Sequence, residues 1–310
     1  ACFMKHIFLI NPAAGLKDST AQLRGEIAHE MDGMDYEIHV TRGPGDAGKL
    51  VAEIADKYMP RVCRFYACGG DGTLSEALHG VVGRTNVELA CIPCGTGNDF
   101  IRLFDRTERF RSITAQAEGL AVLLDVMRVG DSYAINECNA GLDARVAHWV
   151  VRNKRKCPFG GGFPYKLAIL INFFRKINRR YHIEIDGEAF DEEIAVIIAA
   201  NGRWYGGGCQ AVPEAEPDDG LMDIVCIRRI SRFKLIRFIG AYFAGHHAKL
   251  GAQQFYRRAH TLKLRTEKPE PICFDGEIRV VTEVSVEMLP GAVRFVIPEG
   301  AALLRDQTPV

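Results

Sequence analysis

The chain has 310 residues, about the length of two ordinary domains and enough to bury a large apolar core. Its 39 Lys and Arg balance its 39 Asp and Glu, and 47% of its residues are hydrophobic. This composition excludes a disordered chain and argues against a protein whose main partner is a nucleic acid. The longest apolar runs are only as long as a strand, well short of the ~18 residues of a membrane span.

Strands and helices alternate over the first part of the chain. Strands are predicted at Lys5–Ile10, Tyr36–Val40, Val62–Ala67 and Val87–Ile92, and helices from Ser19 or Thr20 to Met31, from Asp46 to Tyr58, up to about Val82, and again after Asp99. Such alternation predicts an α/β domain with a parallel sheet. Loops rich in glycine follow three of the strands, at the carboxyl edge where open α/β sheets bind ligands.

The pattern changes after Leu123, where short strands separated by tight turns predominate. Strands are predicted at Val122–Val129, Tyr133–Asn139, Tyr181–Ile185, Glu192–Ala200, Leu221–Arg228, Thr261–Thr266, Pro271–Phe274, Val280–Met288 and Val293–Ile297, and helices at 143–154, 165–178 and 231–246. This pattern favours a mainly antiparallel β-sandwich with inserted helices. We therefore predict domains at 1–123 and 124–297, with 298–310 returning to the first domain.

The three glycine-rich loops are Asn11–Gly15, Gly69–Thr73 and Pro93–Asp99. Glycine lets backbone N–H groups approach phosphate oxygens, and a helix that begins beyond the loop adds its positive dipole end. A segment at 43–50 resembles a P-loop, but Leu50 stands where the Mg²⁺-binding hydroxyl is needed. A G-x-G-x-x-G dinucleotide motif is absent from the sequence. The residues thus predict a phosphate or nucleotide site formed by the three loops together.

These motifs resemble the catalytic domain of diacylglycerol kinases, and most closely that of soluble bacterial lipid kinases. The resemblance rests on the three loops and continues through Gly206–Gly208, Pro213–Asp223 and Phe274–Glu277, in the family's order. The element at 69–73 is shared with NAD kinases and phosphofructokinases, so the resemblance implies an N-terminal domain of that fold.

The resemblance also implies a site for ATP and Mg²⁺. The positions that match the family's nucleotide-binding residues are Asn11, Pro12, Ala13, Ala14, Gly15, Thr41, Gly69, Gly70, Asp71, Gly72, Thr73, Leu74, Ser75 and Thr96. Asp71, Asp99 and Glu277 match the carboxylates around the catalytic Mg²⁺, and Asp275 matches the general base. On its residues alone, however, the dipeptide at 275–276 also fits an ordinary hairpin turn.

A second, structural Mg²⁺ site is implied for the second domain. Its matching positions are Glu216, Asp219 and the carbonyl oxygen of Leu221. Carboxylate and carbonyl oxygens are suitable ligands for such a hard cation.

Charge is strongly segregated along the chain, although the total is zero. Residues 144–183 and 224–266 each carry ten Lys or Arg and neither Asp nor Glu, so the other 227 residues carry 19 basic and 39 acidic side chains. The predicted helices in these basic windows are also apolar. Basic, apolar helices are typical of proteins that dock on anionic membranes, whereas the alternative is a solvated basic face.

The sequence therefore predicts an ATP- and Mg²⁺-dependent lipid kinase, most simply one that converts diacylglycerol to phosphatidic acid. The alternatives are an NAD kinase-like or sphingosine-type kinase, and a nucleotide-responsive membrane-binding protein without activity. The N-terminal apolar run is too short for a signal peptide. We thus expect a cytoplasmic protein, peripherally associated with the membrane through its basic helices. The sequence also leaves open a homodimer in which a free strand edge of the sandwich pairs with a second copy of the chain.

Overall fold

The computed structural model describes residues 4–15, 17–153, 163–243, 246 and 251–305. The first half holds four strands, β1 to β4, and four helices, α1 to α4. Their bounds are β1 Lys5–Ile10, α1 Thr20–Glu30, β2 Tyr36–Val40, α2 Asp46–Tyr58, β3 Cys63–Gly69, α3 Asp71–Val81, β4 Val87–Pro93 and α4 Ile113–Glu118. All four strands pair in parallel, in the order β4-β3-β1-β2.

Helices cover both faces of this parallel sheet. Successive residues of a strand face opposite sides, so each face packs against a different pair of helices. Ile7 and Leu9 pack with α2 and α3, whereas Phe8 and Ile10 pack with α1 and α4. The strand β1 is fully buried for that reason. A rigid, three-layered framework thus carries the loops at the carboxyl ends of β1, β3 and β4.

Within the described residues, the second half holds nine strands and three α-helices. Their bounds are β5 Leu120–Val129, β6 Ser132–Ala134, β7 Glu137–Gly141, α5 Leu142–Asn153, α6 Phe163–Phe174, β8 Arg179–Ile185, β9 Glu188–Ala200, β10 Met222–Arg228, α7 Arg232–Phe243, β11 Gln254–Ala259, β12 Thr261–Phe274 and β13 Glu277–Ile297. The long strands β9 and β12 each pair with β8 through one half and with β7 through the other. The ladder therefore closes on itself around an apolar core.

One continuous ladder connects the two halves of the molecule. The 21-residue strand β13 pairs with β5 along most of that strand and meets β4 at the pair Phe295–Leu89. The predicted boundary at Leu123 falls inside β5, so the strands pass from one half to the other without a linker. Residues 302–304 exchange backbone hydrogen bonds with residues 103–105 of the first half. Residues 306–310 lie outside the described residues.

The structure differs locally from the sequence-based predictions in several places. The strands predicted at 261–266 and 271–274 form one strand, β12, and those predicted at 280–288 and 293–297 form one strand, β13. The chain after Asp99 forms two short 3-10 turns, Phe100–Leu103 and Thr107–Arg111, before α4, rather than one helix. The hairpin partner predicted at 133–139 splits into β6 and β7, because residues 135–137 donate their backbone N–H groups to Asp275. The strand β11 was not predicted at all. No helix in the described ranges is long and apolar enough to cross a membrane.

Candidate active site

The three glycine-rich loops line a cleft of about 780 Å³ at the carboxyl ends of β1, β3 and β4. Its opposite wall comes from the second half, where Asp275, Gly276 and Glu277 form the turn between β12 and β13. An open α/β sheet binds its ligand at this edge. The cleft is therefore the place where the two halves contribute residues to one site.

Asn11 ties the first loop to the second. Its backbone N–H donates to the carbonyl oxygen of Cys68, and its side-chain Nδ2 donates to Thr73 Oγ1 at 2.9 Å. Its Oδ1 accepts a hydrogen bond from the N–H of Ala13 at 3.0 Å, which closes a tight turn. The first loop is thus held against α3 before any ligand binds.

The second and third loops touch each other through their glycines. A Cβ built on Gly95 would lie 2.6 Å from the Cα of Gly70, a distance that no side chain tolerates. Gly70 also precedes the first turn of α3, whose residues 71 and 72 line the cleft and have backbone N–H groups without a helical partner. Glycine at these two positions therefore brings bare backbone to the place where a phosphate would bind.

Two carboxylates stand at the base of this cleft. Asp71 begins α3, and its Oδ1 accepts from the N–H of Phe100 at 3.2 Å. Asp99 is buried, its Oδ2 accepts from the N–H of Gly207 at 2.6 Å, and its Oδ1 lies 3.3 Å from Arg102 Nε. Burial raises the pKa of Asp99, and the nearby negative charge of Asp71 adds to that effect. The pair forms a locally negative site.

Asp275 has an unusual backbone and a crowded side chain. Its φ of 45° lies in the left-handed region, and its carboxylate accepts from the N–H groups of Ile135, Asn136 and Glu137 at 2.7, 3.1 and 2.9 Å. Burial raises its pKa to about 7, although the three N–H groups oppose the shift. A carboxyl with such a pKa can gain and lose a proton near neutral pH.

Glu137 is a site residue that the sequence analysis missed. It lines the cleft and is buried, and its Oε2 accepts from Asn139 Nδ2 at 2.8 Å. Burial raises its pKa well above the usual value, and the neighbouring Asp275 adds to the shift. A glutamate inside the strand predicted at 133–139 was the available signal.

A second cavity of about 360 Å³ opens beside the cleft and is mostly apolar. The two cavities share four lining residues, which are Glu137, Tyr205, Gly206 and Gly276. Side chains from α5, α6, α7, β9 and β10 form its walls: Leu142, Val146, Val151, Ile169, Phe173, Val196, Ile227, Leu235 and Ile236. The molecule therefore joins a polar cleft to an apolar chamber within reach of Asp275.

The structure brings most of the predicted nucleotide and catalytic residues to the cleft. Those that line it are Asn11, Ala13, Ala14, Gly15, Gly70, Asp71, Gly72, Thr73, Leu74, Ser75, Thr96, Asp99, Asp275 and Glu277. Pro12, Thr41 and Gly69 do not line it. Gly69 supports the cleft without lining it. Its carbonyl oxygen accepts a hydrogen bond from the N–H of Cys94 and so joins the second loop to the third.

The residues of the predicted structural Mg²⁺ site lie together in a separate acidic loop. Glu216 and Asp218 ion-pair with Arg305, Asp219 ion-pairs with Arg258, and Asp219 Oδ1 also accepts from the N–H of Leu221 at 3.0 Å. Two arginines thus partly neutralise the negative charge of this loop. The metal role of these residues stays a prediction.

The cleft carboxylates suit a Mg²⁺ ion shared with a nucleotide. Within the described residues, no group of three His, Cys, Asp or Glu side chains is arranged as a complete metal cage. Magnesium in phosphoryl-transfer sites needs no such cage, since one or two carboxylates and substrate phosphates hold it. Asp71 and Asp99 supply such oxygens, and a cation would oppose both causes that raise the pKa of Asp99, its burial and the negative charge of Asp71.

Comparison with known proteins agrees with this arrangement. The family model "Diacylglycerol kinase catalytic domain" matches residues 5–129, and the model "YegS C-terminal NAD kinase beta sandwich-like domain" matches residues 136–297. A "Probable lipid kinase YegS-like" of Shewanella frigidimarina is 28% identical over 301 residues, which cover 95% of each chain. A "Diacylglycerol kinase" of Mycobacterium tuberculosis is 28% identical over 299 residues, which cover 94% of each chain.

The fold also matches solved structures. The crystal structure of a diacylglycerol kinase from Bacillus anthracis superposes with a TM-score of 0.70 over 97% of this chain and 98% of that one, at 21% sequence identity. At that identity, the likeness establishes the fold alone.

Proposed function

Because the chain belongs to the diacylglycerol kinase catalytic-domain family with a YegS-type C-terminal domain, we propose that it transfers the γ-phosphoryl group of ATP to a lipid hydroxyl. Diacylglycerol is the simplest acceptor, and phosphatidic acid is then the product. The observation that carries this proposal is the junction of the polar cleft and the apolar cavity beside Asp275. A nucleotide phosphate and a hydroxyl on an apolar molecule would meet there.

The nucleotide half of the proposal rests on the loops. Gly70, Gly95 and the first turn of α3 present backbone N–H groups toward the cleft, which suits anionic phosphate oxygens. Asp71 and Asp99 would hold Mg²⁺, which neutralises phosphate charge when it is bound. Phosphoryl transfer depends mainly on such positioning and charge neutralisation, so little other chemistry is required of the protein.

Asp275 acts as the general base in this proposal. An acceptor hydroxyl must lose its proton as it attacks the phosphorus atom, and a carboxylate with a pKa near 7 accepts a proton efficiently at neutral pH. The backbone N–H groups of residues 135–137 hold the carboxylate in a single orientation. Its position is therefore set by the fold rather than by substrate binding.

The apolar cavity holds the acyl part of the acceptor. Each methylene group that it removes from water contributes about 0.8 kcal/mol to binding. At the mouth of the cavity, burial favours the neutral form of Glu137. A neutral carboxyl can hydrogen-bond the acceptor's glycerol oxygens without placing a second negative charge beside Asp275.

The test replaces Asp275 with Asn and measures lipid phosphorylation and ATP binding separately. Asp275→Asn should lower kcat at least 100-fold, within the range for loss of a general base, and leave ATP affinity within about threefold. Asp186→Asn is a matched control, because Asp186 also precedes a glycine, has a φ of 47° and lies away from the cleft. Wild-type turnover by Asp275→Asn would refute the proposed base.

A further inference from the structure

We call the apolar cavity beside the cleft, which is proposed to hold the lipid acceptor, the acceptor cavity. A third cavity lies on the opposite side of α5. It measures about 440 Å³, and α5 lines it with Arg145, His148, Trp149, Arg152 and Asn153. This spacing of three, four, seven and eight residues places the five side chains on one helix face. Leu142 and Val146, on the other side of α5, line the acceptor cavity. The helix therefore separates an apolar chamber from a basic one.

The remaining wall of this cavity is also basic and polar. It consists of Asn172, Arg175, Arg179 and Pro271. We call the cavity formed by these four residues and the five on α5 the arginine pocket. Its described lining residues include four arginines and no acidic side chain.

One neighbouring carboxylate compensates part of this charge. Glu270 lies 2.8 Å from Arg179 Nε and 3.7 Å from Arg145 Nη1, so it serves two of the four arginines. Arg152 and Arg175 are exposed, and neither forms an ion pair within the part of the chain that the structure describes. The pocket thus keeps a clear excess of positive charge.

Arg145 supplies a second reason to expect an anion. Its side chain is only 11% exposed, and its Nη1 atom is buried without a hydrogen-bond partner among the described residues. Glu270 lies 3.7 Å from this atom, too far for a hydrogen bond, so an anionic acceptor in the pocket would supply the hydrogen bond that the buried donor lacks. Burial and the charge of Arg152 lower the pKa of His148, as expected beside concentrated positive charge. The pocket is therefore prepared for a negatively charged ligand.

Two exposed apolar side chains lie at the end of α6, next to the pocket residue Arg175. Phe174 of α6 is 72% exposed and Phe233 of α7 is 86% exposed. Arg232 holds the two helices together there, because it donates to the carbonyl oxygens of Phe174 and Arg175. A basic pocket next to exposed phenylalanines is typical of a surface that binds the headgroups and upper acyl region of a membrane.

We propose that the arginine pocket binds the phosphate group of an anionic phospholipid in a bilayer while Phe174 and Phe233 enter the membrane interface. This ligand is distinct from the acceptor, which occupies the other side of α5. The bilayer is favoured over a soluble phosphate compound by the exposed phenylalanines, which a soluble anion would leave in water. Binding needs neither ATP nor turnover, so it can hold or fail independently of the kinase activity.

The test measures binding of the full chain to vesicles without ATP. The vesicles contain either phosphatidylcholine alone or phosphatidylcholine with 30% phosphatidylglycerol, a composition chosen for the test. Arg152→Gln/Arg175→Gln removes two charges from the pocket, and each is expected to contribute about fivefold, so binding to anionic vesicles should weaken roughly 30-fold. Arg180→Gln/Arg229→Gln is the control, since it removes two exposed arginines from the same basic windows but outside the pocket.

The expected result is selective loss in the pocket variant, near wild-type binding in the control, and weak binding of all three proteins to phosphatidylcholine alone. Equal weakening in both variants would assign binding to diffuse surface charge and overturn the proposal. Unchanged binding of the pocket variant would also overturn it. Tight binding of inorganic phosphate, measured by calorimetry and abolished in a pocket variant that still binds vesicles, would assign the pocket to a soluble anion instead.

Discussion

The pKa of Asp275 leads to a specific pH dependence of activity. Burial raises this pKa from 3.8 to about 7, and the negative charge of Asp71 contributes to the shift. A shift of about three units corresponds to roughly 4 kcal/mol between the two protonation states. Since the base must be ionised, about a tenth of the enzyme would be active at pH 6 and about a hundredth at pH 5. The logarithm of kcat/KM should therefore rise with unit slope up to pH 7 and then level off.

The assay follows phosphoryl transfer from labelled ATP between pH 5 and pH 9 at low acceptor concentration, so that kcat/KM reports the free enzyme. The residual activity of Asp275→Asn should lack the rise, whereas the control Asp186→Asn should keep it. A flat wild-type profile from pH 5 to pH 7 would refute the assignment of Asp275 as a base with a raised pKa. Circular dichroism over the same range excludes unfolding as the cause of any loss.

The raised pKa of Asp275 also makes the stability of the protein depend on pH. The folded state holds the Asp275 proton up to about pH 7, whereas the unfolded chain releases it near 3.8. The folded state therefore binds more protons in this range, so the free energy of unfolding falls as pH rises from about 4 to 7, by up to roughly 4 kcal/mol. Urea unfolding of the wild type and of Asp275→Asn should show this difference in pH dependence, and equal pH dependence would contradict it.

Three further predictions concern other parts of the molecule. Gly95→Ala should push the third loop away from Gly70 and lower kcat by up to about 100-fold, measured as steady-state turnover. Val146→Phe should fill part of the acceptor cavity and displace two or three methylene groups, so that KM for the lipid rises about 30-fold, equivalent to about 2 kcal/mol, while KM for ATP stays unchanged. Glu88→Gln should break the buried ion pair with Arg64 and lower the free energy of unfolding in urea by about 3 kcal/mol.

Each of these changes has a control. Gly25→Ala should leave turnover unchanged, because a Cβ at Gly25 meets no atom within 4 Å, and full activity of Gly95→Ala would contradict the contact between the loops. A parallel rise in both KM values for Val146→Phe would argue against a dedicated acceptor cavity. Glu287→Gln removes a surface partner of Arg128 and should cost less than about 1 kcal/mol, so an equal cost at both glutamates would contradict the role of burial.

The sequence correctly grouped the three glycine-rich loops at one edge of the sheet, for a physical reason. Strands such as Lys5–Ile10 are buried on both faces and read as continuous apolar runs, and glycines mark the turns that follow them. The parallel pairing of β1, β3 and β4 then requires their loops to meet at one edge. Local pattern and fold agree here, so the residues at 11–15 and 70–75 could be grouped without coordinates.

The side of the cleft around Asp275 was harder to predict, because it depends on pairing between distant segments. Asp275 and Glu137 are 138 positions apart and meet only because Phe274 of β12 pairs with Cys138 of β7. Asp275 and Gly276 form the hairpin turn that their sequence suggests. The side chain of Asp275 also accepts hydrogen bonds from the backbone N–H groups of residues 135–137. The four arginines of the pocket fall within the basic window at 144–183, but only the fold brings them together, with Arg145 donating to the carbonyl oxygen of Ile177. The basic residues Lys154, Arg155, Lys156 and Lys249 lie outside the described residues.

The most direct test of the central claim is the identity of the phosphorylated product. Purified protein, Mg²⁺ and γ-labelled ATP are incubated separately with diacylglycerol, sphingosine, phosphatidylglycerol, an isoprenoid alcohol and NAD, and the labelled products are separated. We predict labelled phosphatidic acid from diacylglycerol, formed by the wild type and Asp186→Asn and lost in Asp275→Asn. Label in NADP, or in none of the products, would contradict a lipid kinase that uses Asp275 as its base.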